Sequence, residues 1–505
     1  MDPVQGILFG LGRAMEPQTL LFCFLGVLWG TLIGVLPGIG PTGGLTILLP
    51  LTSGMDLTQA MVMMAGIYYG TMYGGSTTSI LAAVPGETAS VITVLDGHQM
   101  AMKGRAGAAL ALAAIGSFVA GTMAVFGLAF LAPALASLAL DFGPPEYFTL
   151  ALLGLSTAAL LSNVSLAKGL SMAVIGLMVG TVGMSVITGY QRYTFGRIEL
   201  ISGVEIIAVL MGLFGVAEVI ETVAMTFRPE LRREPLFDLR RIFPNREETG
   251  RSIGPMLRGG VIGFFVGALP GSGGALSSYV SYALEKKISK HPEQFGTGAP
   301  EGVAGPEAAN NAGATGALVP LLTLGVPYSV VTAIMLSAMV VHGVFPSPLL
   351  MQRSPEFFWT VVSSMYIGNV MLLVLNLPLV GVWAALLRVP QRWLVGLILV
   401  FCLTGVYAAN FSRFDLLVVA IAGGIGLLMK RAQLPAAPLA LGMILGPILE
   451  NALMQSLILS HGSPLIFVKR PLAAVFVGLL GVALLVPLLQ RLFGRRVVPT
   501  TEEEM

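Results

Sequence analysis

The chain has 505 residues, of which 55% are hydrophobic and only 11% are charged, and its formal net charge at pH 7 is +2. Soluble domains carry about 25% charged residues, so this composition excludes a protein whose surface faces water on all sides. The small net charge also excludes the dense basic face that a nucleic-acid-binding protein needs.

Long apolar runs predict a polytopic, all-α membrane protein. In chain order they lie near residues 20–36, 60–84, 106–139, 146–164, 167–188, 203–227, 256–269, 312–342, 357–387, 393–410, 414–429, 434–458 and 471–493. Several approach or exceed the roughly 20 apolar residues that cross a bilayer as a helix, and some are long enough to fold back as re-entrant hairpins. We expect about 11–14 membrane segments.

A polar interval at residues 228–251 contains seven arginines and separates two apolar halves. Basic residues decide which side of the membrane a loop occupies, so this loop is predicted to be cytoplasmic. The predicted organisation is a first membrane repeat (1–227), a basic loop (228–255), a second membrane repeat with C-terminal helices (256–493) and a polar tail (494–505).

The two halves contain related phrases in the same order. "GVLPGIG" begins at residue 34 and "GALPGSG" at residue 267, which places Pro37 and Pro270 at an offset of 233 residues. The later pairs Val84-Pro85 and Val326-Pro327 are offset by 242 residues. This pattern predicts an internal repeat. Apolar segments interrupted by Gly and Pro at corresponding positions of two halves are typical of the binding site of a secondary transporter.

The interruptions matter because a bilayer offers no water to unpaired backbone groups. Irregular backbone at membrane depth survives only where it is buried in protein or lines a cavity. The helix that restarts after a break exposes free N–H groups and a partial positive charge, which attract an anion such as a carboxylate. The opposite broken end presents carbonyl oxygens that suit Na⁺.

Candidate site residues come from these phrases, from "YGGSTTS" at 73–79 and from the paired amides of "PEAANNAGATG" at 306–316. Predicted substrate-binding residues are Pro37, Gly38, Gly40, Thr42, Gly43, Ser76, Thr77, Pro270, Gly271, Ser272, Gly273, Gly274, Asn310 and Asn311. Predicted cation-binding residues are Gly38, Thr42, Ser272, Gly273, Asn310 and Asn311. Tight helix packing is the alternative explanation of the small residues, above all in "YGGSTTS".

Charged residues inside such a chain usually face a cavity or a partner, and Glu87 and Asp96 belong to this class. "PEAANNAGATG" is predicted to enter the membrane as a helix with Asn310 and Asn311 on or near its first turn. Glu301 and Glu307 occupy the matching region of the second half and are candidates for the same class, although a solvated loop or a helix N-terminus, where an acid is favourable, is the preferred interpretation of both. The four histidines show no ligand spacing, so no transition-metal site is expected.

Four phrases together resemble a known family, the large membrane subunit (TctA family) of the tripartite tricarboxylate transporters. They are "GVLPGIGP" from Gly34, "YYGTMYGGSTTSILAAVPGE" from Tyr68, "DGHQMAMKGRAGAALALAAIGSFVAGT" from Asp96 and "PEGVAGPEAANNA" from Pro300. The likeness runs from about residue 20 through the C-terminal membrane helices.

The resemblance implies a permease of the bacterial inner membrane that imports an organic carboxylate, such as citrate or another di- or tricarboxylate. It further implies coupling to Na⁺ or H⁺, a small four-helix membrane subunit and a periplasmic solute-binding protein that delivers the substrate. We expect the flank "DGHQMAMKGR" to contact the binding protein or the gate. No other cofactor is expected, and the chain lacks the G-x-x-x-x-G-K-[ST] phrase of an ATP-hydrolysing protein.

In the mechanism that these observations predict, two repeats of inverted topology bring their broken helices together near the bilayer midplane. The cation binds first, and the anion then sits against it and the helix N-termini. An elevator-like movement would expose the site to the cytoplasm, by analogy with the family. An ion or anion channel with a Gly-rich filter is the alternative. An intramembrane enzyme is not supported, since no histidine pairs convincingly with Ser272 or Ser76.

Overall fold

The structure is a computed structural model that describes residues 2–36, 39–162, 164–185, 188–226, 243–269, 273–344, 347, 349–386 and 391–492. Five of the predicted site residues lie outside this described part: Pro37, Gly38, Pro270, Gly271 and Ser272. Most of the basic loop and the polar tail lie outside it as well.

Helices make up nearly all of the described chain. In chain order they are α1 (Pro3–Ala14), α2 (Pro17–Val35), α3 (Gly40–Thr52), α4 (Leu57–Ala82), α5 (Val91–Thr93), α6 (Ala106–Ala139), α7 (Pro144–Leu160), α8 (Leu166–Gly180), α9 (Ile206–Leu210), α10 (Ala217–Thr226), α11 (Arg246–Gly267) and α12 (Gly273–Ile288). They continue with α13 (Glu301–Gly316), α14 (Leu318–Leu324), α15 (Val330–Val341), α16 (Leu350–Arg353), α17 (Pro355–Asn376), α18 (Val380–Leu386), α19 (Gln391–Asn410), α20 (Arg413–Arg431), α21 (Ala436–Leu459), α22 (Ile466–Lys469) and α23 (Pro471–Leu492).

The remaining regular elements are short. Three π-helical stretches are Val94–His98, Ala101–Arg105 and Met211–Val216, three 3₁₀ turns are Thr88–Ser90, Ile198–Leu200 and Pro292–Gln294, and β1 (Gly183–Met184) pairs antiparallel with β2 (Gln191–Arg192). The all-α prediction is therefore confirmed for the described residues.

Four helices of the described chain are long and apolar enough to cross a membrane: Pro17–Val35, Ala101–Ala139, Pro355–Asn376 and Ala436–Leu459. The second of these is α6 together with the π-helical stretch that directly precedes it. Their length and composition support the membrane assignment. The expected total of membrane segments stays a prediction.

Helices stop and restart at both proline-glycine phrases. α2 ends at Val35 and α3 begins at Gly40, while α11 ends at Gly267 and α12 begins at Gly273. α11 begins at Arg246, so the last ten residues of the predicted loop (246–255) are helical.

The chain forms two compact units. Unit 1 comprises residues 1–140 and 204–432, and unit 2 comprises residues 141–203 and 433–505. Each unit takes residues from both predicted halves. Unit 2 contains α7, α8 and α21–α23, and within it Arg470 pairs with Glu146 at 2.6 Å and Arg192 pairs with Glu450 at 2.7 Å.

In unit 1, glycines let two helix pairs approach until backbone touches backbone. α2 lies on α4 and α11 lies on α13, and at each contact an added β-carbon would come within 2.2–2.5 Å of a carbonyl oxygen. The glycine–carbonyl pairs are Gly26–Met63, Gly30–Ile67 and Gly34–Thr71 in the first half, and Gly259–Gly305, Gly263–Ala309 and Gly267–Gly313 in the second. The glycines are offset by 233 residues and the carbonyls by 242, the same offsets as the two pairs of sequence phrases. The two helix pairs therefore share one packing register.

The segments that follow α4 and α14 also correspond. α4 ends on Ala83 with φ +53°, and α14 ends on Gly325 with φ +71°. Four residues later, Glu87 and Ser329 each cap the next helical turn with extended backbone and a reciprocal capping box. Here too the offset is 242 residues.

A buried carboxylate fastens the π-helical flank of the first half to a loop of the second. Asp96 is fully buried, and its Oδ1 accepts hydrogen bonds from the backbone N–H groups of Gly296, Gly298 and Ala299 at 2.9, 2.7 and 2.8 Å. Its Oδ2 accepts from the Tyr282 hydroxyl at 2.9 Å. The Asp96 end of the "DGHQMAMKGR" flank is thus used for contact within the chain itself.

Two further contacts reinforce this junction. Lys103 Nζ donates to the carbonyl of Thr297 at 2.5 Å, and Arg251 forms a two-pronged pair with Glu301 at 2.8 and 2.9 Å. Glu301 lies in the first turn of α13, which confirms the helix N-terminus as its place.

Replacing Gly263 by Ala should destabilise the protein, since the new β-carbon would lie 2.2 Å from the Ala309 carbonyl oxygen. We expect a loss of about 1–3 kcal/mol, typical of overpacking, seen as a lower midpoint in thermal unfolding of detergent-solubilised protein. Gly250→Ala on the same helix is the control: no heavy atom of the described residues lies within 4 Å of its β-carbon position. The control should be neutral or more stable because Ala favours helix over Gly. Equal midpoints for both variants would refute the close packing.

Replacing Asp96 by Ala should leave three backbone N–H groups and the Tyr282 hydroxyl without their acceptor. Each unsatisfied buried donor costs about 1–3 kcal/mol, so we expect a marked drop in the thermal midpoint. Asp96→Asn keeps an oxygen for the backbone donors and should retain more stability than Asp96→Ala. If Asn and Ala behave alike, the hydrogen bonds do not explain the role of this residue.

Candidate functional site

The two halves meet in unit 1 around two buried carboxylates, Glu87 and Glu307. Glu87 belongs to the segment after α4, and Glu307 lies in α13. Glu307 is completely buried and Glu87 is 6% exposed. The cluster around them, called the acid–amide cluster below, consists of Ser76, Glu87, Thr93, Ser117, Glu307, Asn310 and Asn311.

Local chain geometry places Glu87. Its side chain accepts from the backbone N–H of Ala89 at 2.6 Å and thereby caps the 3₁₀ turn Thr88–Ser90. Ser90 Oγ in turn donates to the Glu87 carbonyl at 2.9 Å. The preceding Gly86 lies so close to the end of α2 that a β-carbon there would be 2.1 Å from the Gly34 carbonyl oxygen. Glycine at residue 86 is therefore required for this approach.

Glu307 is held by hydroxyl groups of the first half. Ser76 Oγ on α4 donates to its Oε2 at 2.5 Å, and Thr93 Oγ1 on α5 donates to its Oε1. The assignment of Glu307 to a solvated loop or helix N-terminus is therefore wrong. α13 begins at Glu301, because the backbone just before it is held by Asp96 through Gly298 and Ala299, so Glu307 lies inside the helix.

For the same reason Asn310 and Asn311 lie in the third turn of α13 and not on its first turn. Asn310 Nδ2 donates to Glu87 Oε1 at 3.0 Å, and Asn311 Nδ2 donates to Ser117 Oγ on α6 at 2.6 Å. Both side-chain oxygens are buried without a hydrogen-bond partner among the described residues.

The first turn of α12 approaches the same place. A β-carbon on Gly274 would lie 2.9 Å from Asn310 Oδ1 and 3.1 Å from the β-carbon of Ala89. The restarting helix of the second phrase is therefore in contact with the acid–amide cluster, and any larger residue at 274 would press on the Asn310 amide.

The electrostatics of the cluster are unusual. Glu87 and Glu307 lie close enough to interact electrostatically. Across the described ranges, no Lys, Arg or His nitrogen comes within 4 Å of either carboxylate, whereas the buried acids Glu285 and Glu301 each have an arginine partner. Every hydrogen-bond donor to Glu87 and Glu307 is neutral.

The contact between Asn310 and Glu87 has a counterpart at the positions related to them by the offset of 242 residues. The Tyr68 hydroxyl lies beside Ser329. Tyr68 precedes Asn310 by 242 residues, and Glu87 precedes Ser329 by the same number. The counterpart has hydroxyl groups where the acid–amide cluster has a carboxylate and an amide.

Ser76, Gly274, Asn310 and Asn311 are thus the predicted site residues that the structure brings together. Thr77 is buried beside Ser76 on α4, and Gly273 begins α12. Gly40, Thr42 and Gly43 form the first turn of α3, where the Thr42 carbonyl accepts from Thr46. None of the described hydrogen bonds joins these three to the acid–amide cluster.

Sequence reasoning did not include Glu87, Glu307, Thr93 and Ser117 among the site residues. The signal for the two acids was present, because each glutamate follows a Gly or Pro inside apolar, small-residue sequence. An ionisable residue in such a setting is by default a functional candidate. In the described part of the chain no three His, Cys, Asp or Glu side chains come together as a metal centre would require.

The chain is also similar in sequence to known proteins. Residues 20–441 match the model of the tripartite tricarboxylate transporter TctA family. An Agrobacterium vitis protein described as an "uncharacterized 52.8 kDa protein in TAR-I ttuC' 3'region" is 44% identical over 504 residues and is covered completely, as is this chain. A second A. vitis protein, from the "TAR-II ttuC' 3'region", is 42% identical over 234 residues, which are 46% of this chain and 97% of that protein.

No solved structure matches the chain. The family match covers most of the sequence, and the TctA family is a family of transporters and not of enzymes. The chain belongs to the tripartite tricarboxylate transporter TctA family.

Proposed function

We propose that the chain is the large permease subunit of a secondary importer that takes up an organic di- or tricarboxylate together with Na⁺ or H⁺. The observation that carries the proposal is the acid–amide cluster, in which a restarted helix, two carboxylates and two amides from both halves meet in the interior of unit 1. Buried ionisable groups between helices of a membrane protein mark substrate or ion pathways.

The two halves act as related repeats of inverted topology whose broken helices meet near the bilayer midplane. The shared register of α2–α4 and α11–α13, at offsets of 233 and 242 residues, supports a repeat. Transporters of this kind move one part against another around a site at the repeat interface. An elevator-like movement follows from the family analogy.

The substrate carboxylates bind at the restarted helices, which offer free N–H groups and the positive ends of helix dipoles. Gly40, Thr42 and Gly43 begin α3, and Gly273 and Gly274 begin α12. The cation binds first because an anion of two or three charges needs a compensating positive charge in a poorly solvated pocket.

The partners follow from the family. A periplasmic solute-binding protein delivers the carboxylate, and a small four-helix membrane subunit accompanies the permease in the bacterial inner membrane. Membership of a tripartite transporter family supports this assembly.

Uptake measurements test the proposal. Right-side-out vesicles that contain the permease, its small subunit and the binding protein would be given radiolabelled citrate, succinate or malate. We expect saturable accumulation above the external concentration, driven by an inward Na⁺ or H⁺ gradient and abolished by an ionophore. Flux that neither saturates nor accumulates substrate would instead indicate a channel.

Replacing Gly274 by Ala tests the contact between α12 and the cluster. The new β-carbon would lie 2.9 Å from Asn310 Oδ1, so we expect carboxylate uptake to fall by about tenfold, as a displacement near 1 Å at a binding site can cause. Gly424→Ala in α20 is the matched control, because no described heavy atom lies within 4 Å of its β-carbon position. Equal uptake by the two variants, at equal amounts in the membrane, would contradict the assignment.

A further inference from the structure

The other buried acids near the acid–amide cluster are compensated in ways that Glu87 and Glu307 are not. Glu285 pairs with Arg258 at 2.6 Å, and Glu301 pairs with Arg251 at 2.8 Å. Asp96 collects three backbone N–H groups and a tyrosine hydroxyl. Within the described ranges, Glu87 and Glu307 have only neutral donors, and an unpaired buried charge is costly. Their combined negative charge therefore calls for a positive partner from outside the protein.

The Asn310 amide indicates which kind of partner fits. Asn310 is completely buried, its Nδ2 is engaged by Glu87, and its Oδ1 has no hydrogen-bond partner in the part of the chain that is described. An amide oxygen is not protonated near neutral pH, but it is a good ligand for a hard cation, as carboxylate oxygens are. A small alkali cation satisfies both the acids and the orphaned oxygen, whereas a proton satisfies the acids alone.

The counterpart of the acid–amide cluster, related to it by the offset of 242 residues, lacks both carboxylates. We therefore infer that only the acid–amide cluster binds the cation. There, Tyr68 and Ser329 replace Asn310 and Glu87 at the offset of 242 residues, and the residue that corresponds to Glu307 is Ala65. The acid–amide cluster thus has two carboxylates that its counterpart lacks. Coulomb repulsion keeps a multiply charged anion away from the acidic place until a cation occupies it.

We propose that Glu87, Glu307 and the Asn310 amide form a Na⁺ site, and that its occupation precedes and permits binding of the substrate anion. Ser76 and Thr93 hold the Glu307 carboxylate in place for the ion. The second part of this inference rests on the proposed function, since it concerns the same transport cycle. It explains the coupling by charge: one bound Na⁺ halves the negative charge of the two carboxylates, so the loaded site repels the anion less than the empty site does.

Binding of radioactive sodium to the purified permease tests the site directly. We expect saturable binding to the wild-type protein near pH 7 and binding about tenfold weaker or absent in E307Q and E87Q, because each loses one charged ligand. Asn310→Ala should also weaken binding, since it removes a ligand without changing the charge. E301Q is the matched control, because it changes a buried glutamate of the same helix that already has an arginine partner. It should bind sodium as the wild type does.

Absence of saturable sodium binding to the folded wild type would overturn the inference, as would unchanged binding in E307Q, E87Q and Asn310→Ala. An equal loss in E301Q would also overturn it, because the effect would then be unspecific. Size-exclusion profiles in detergent establish that each variant is folded. If one glutamine variant does not fold, the other and Asn310→Ala decide.

Carboxylate uptake separates this inference from the proposed function. In vesicles, the sodium concentration that gives half-maximal uptake should rise by about tenfold in E307Q and remain unchanged in E301Q. Wild-type uptake driven by a proton gradient, with no sodium binding, would overturn the sodium site and leave the importer intact. Sodium binding with no uptake of any carboxylate would remove the proposed substrate and, with it, the ordered binding of cation and anion.

Discussion

The absence of water inside a bilayer constrains every part of this protein. Each broken helix and each charged side chain at membrane depth must find its partners within the chain or in a bound solute. The glycine faces of α2 and α11 meet this constraint for the backbone, because they let the helices touch α4 and α13 directly. The arginine partners of Glu285 and Glu301, and the backbone N–H groups around Asp96, meet it for these three buried acids.

Glu87 and Glu307 have no such basic partner among the described residues, although they lie at the junction of the two halves. The close packing of α4 and α13 against their partner helices brings residues from both halves of the chain together. Hydroxyl and amide groups orient the two carboxylates, but none of them neutralises a charge. In the proposed transport cycle, this pair is the place whose charge changes when the cation binds.

Corresponding positions of the two halves differ in their side chains, which makes the candidate site asymmetric. Two related junctions lie at the offset of 242 residues, one at Glu87 and Asn310 and the other at Ser329 and Tyr68. The two junctions keep the same capping geometry but differ in their side chains. The two backbone frameworks are thus similar, and differences in a few side chains make one of them acidic and leave the other neutral.

Composition and apolar runs indicated a helical membrane protein, and the two Gly/Pro phrases predicted the breaks between α2 and α3 and between α11 and α12, because hydrophobicity and the missing proline N–H act locally. The motif residues also pointed to Ser76 and Asn310. The burial of Glu307, the third-turn position of the asparagines and the arginine partner of Glu301 were decided only by tertiary structure. A glutamate in "GPEAANN" looks the same in sequence whether it is solvated or buried. Its environment is set by Ser76 and Thr93, which lie more than two hundred residues away along the chain.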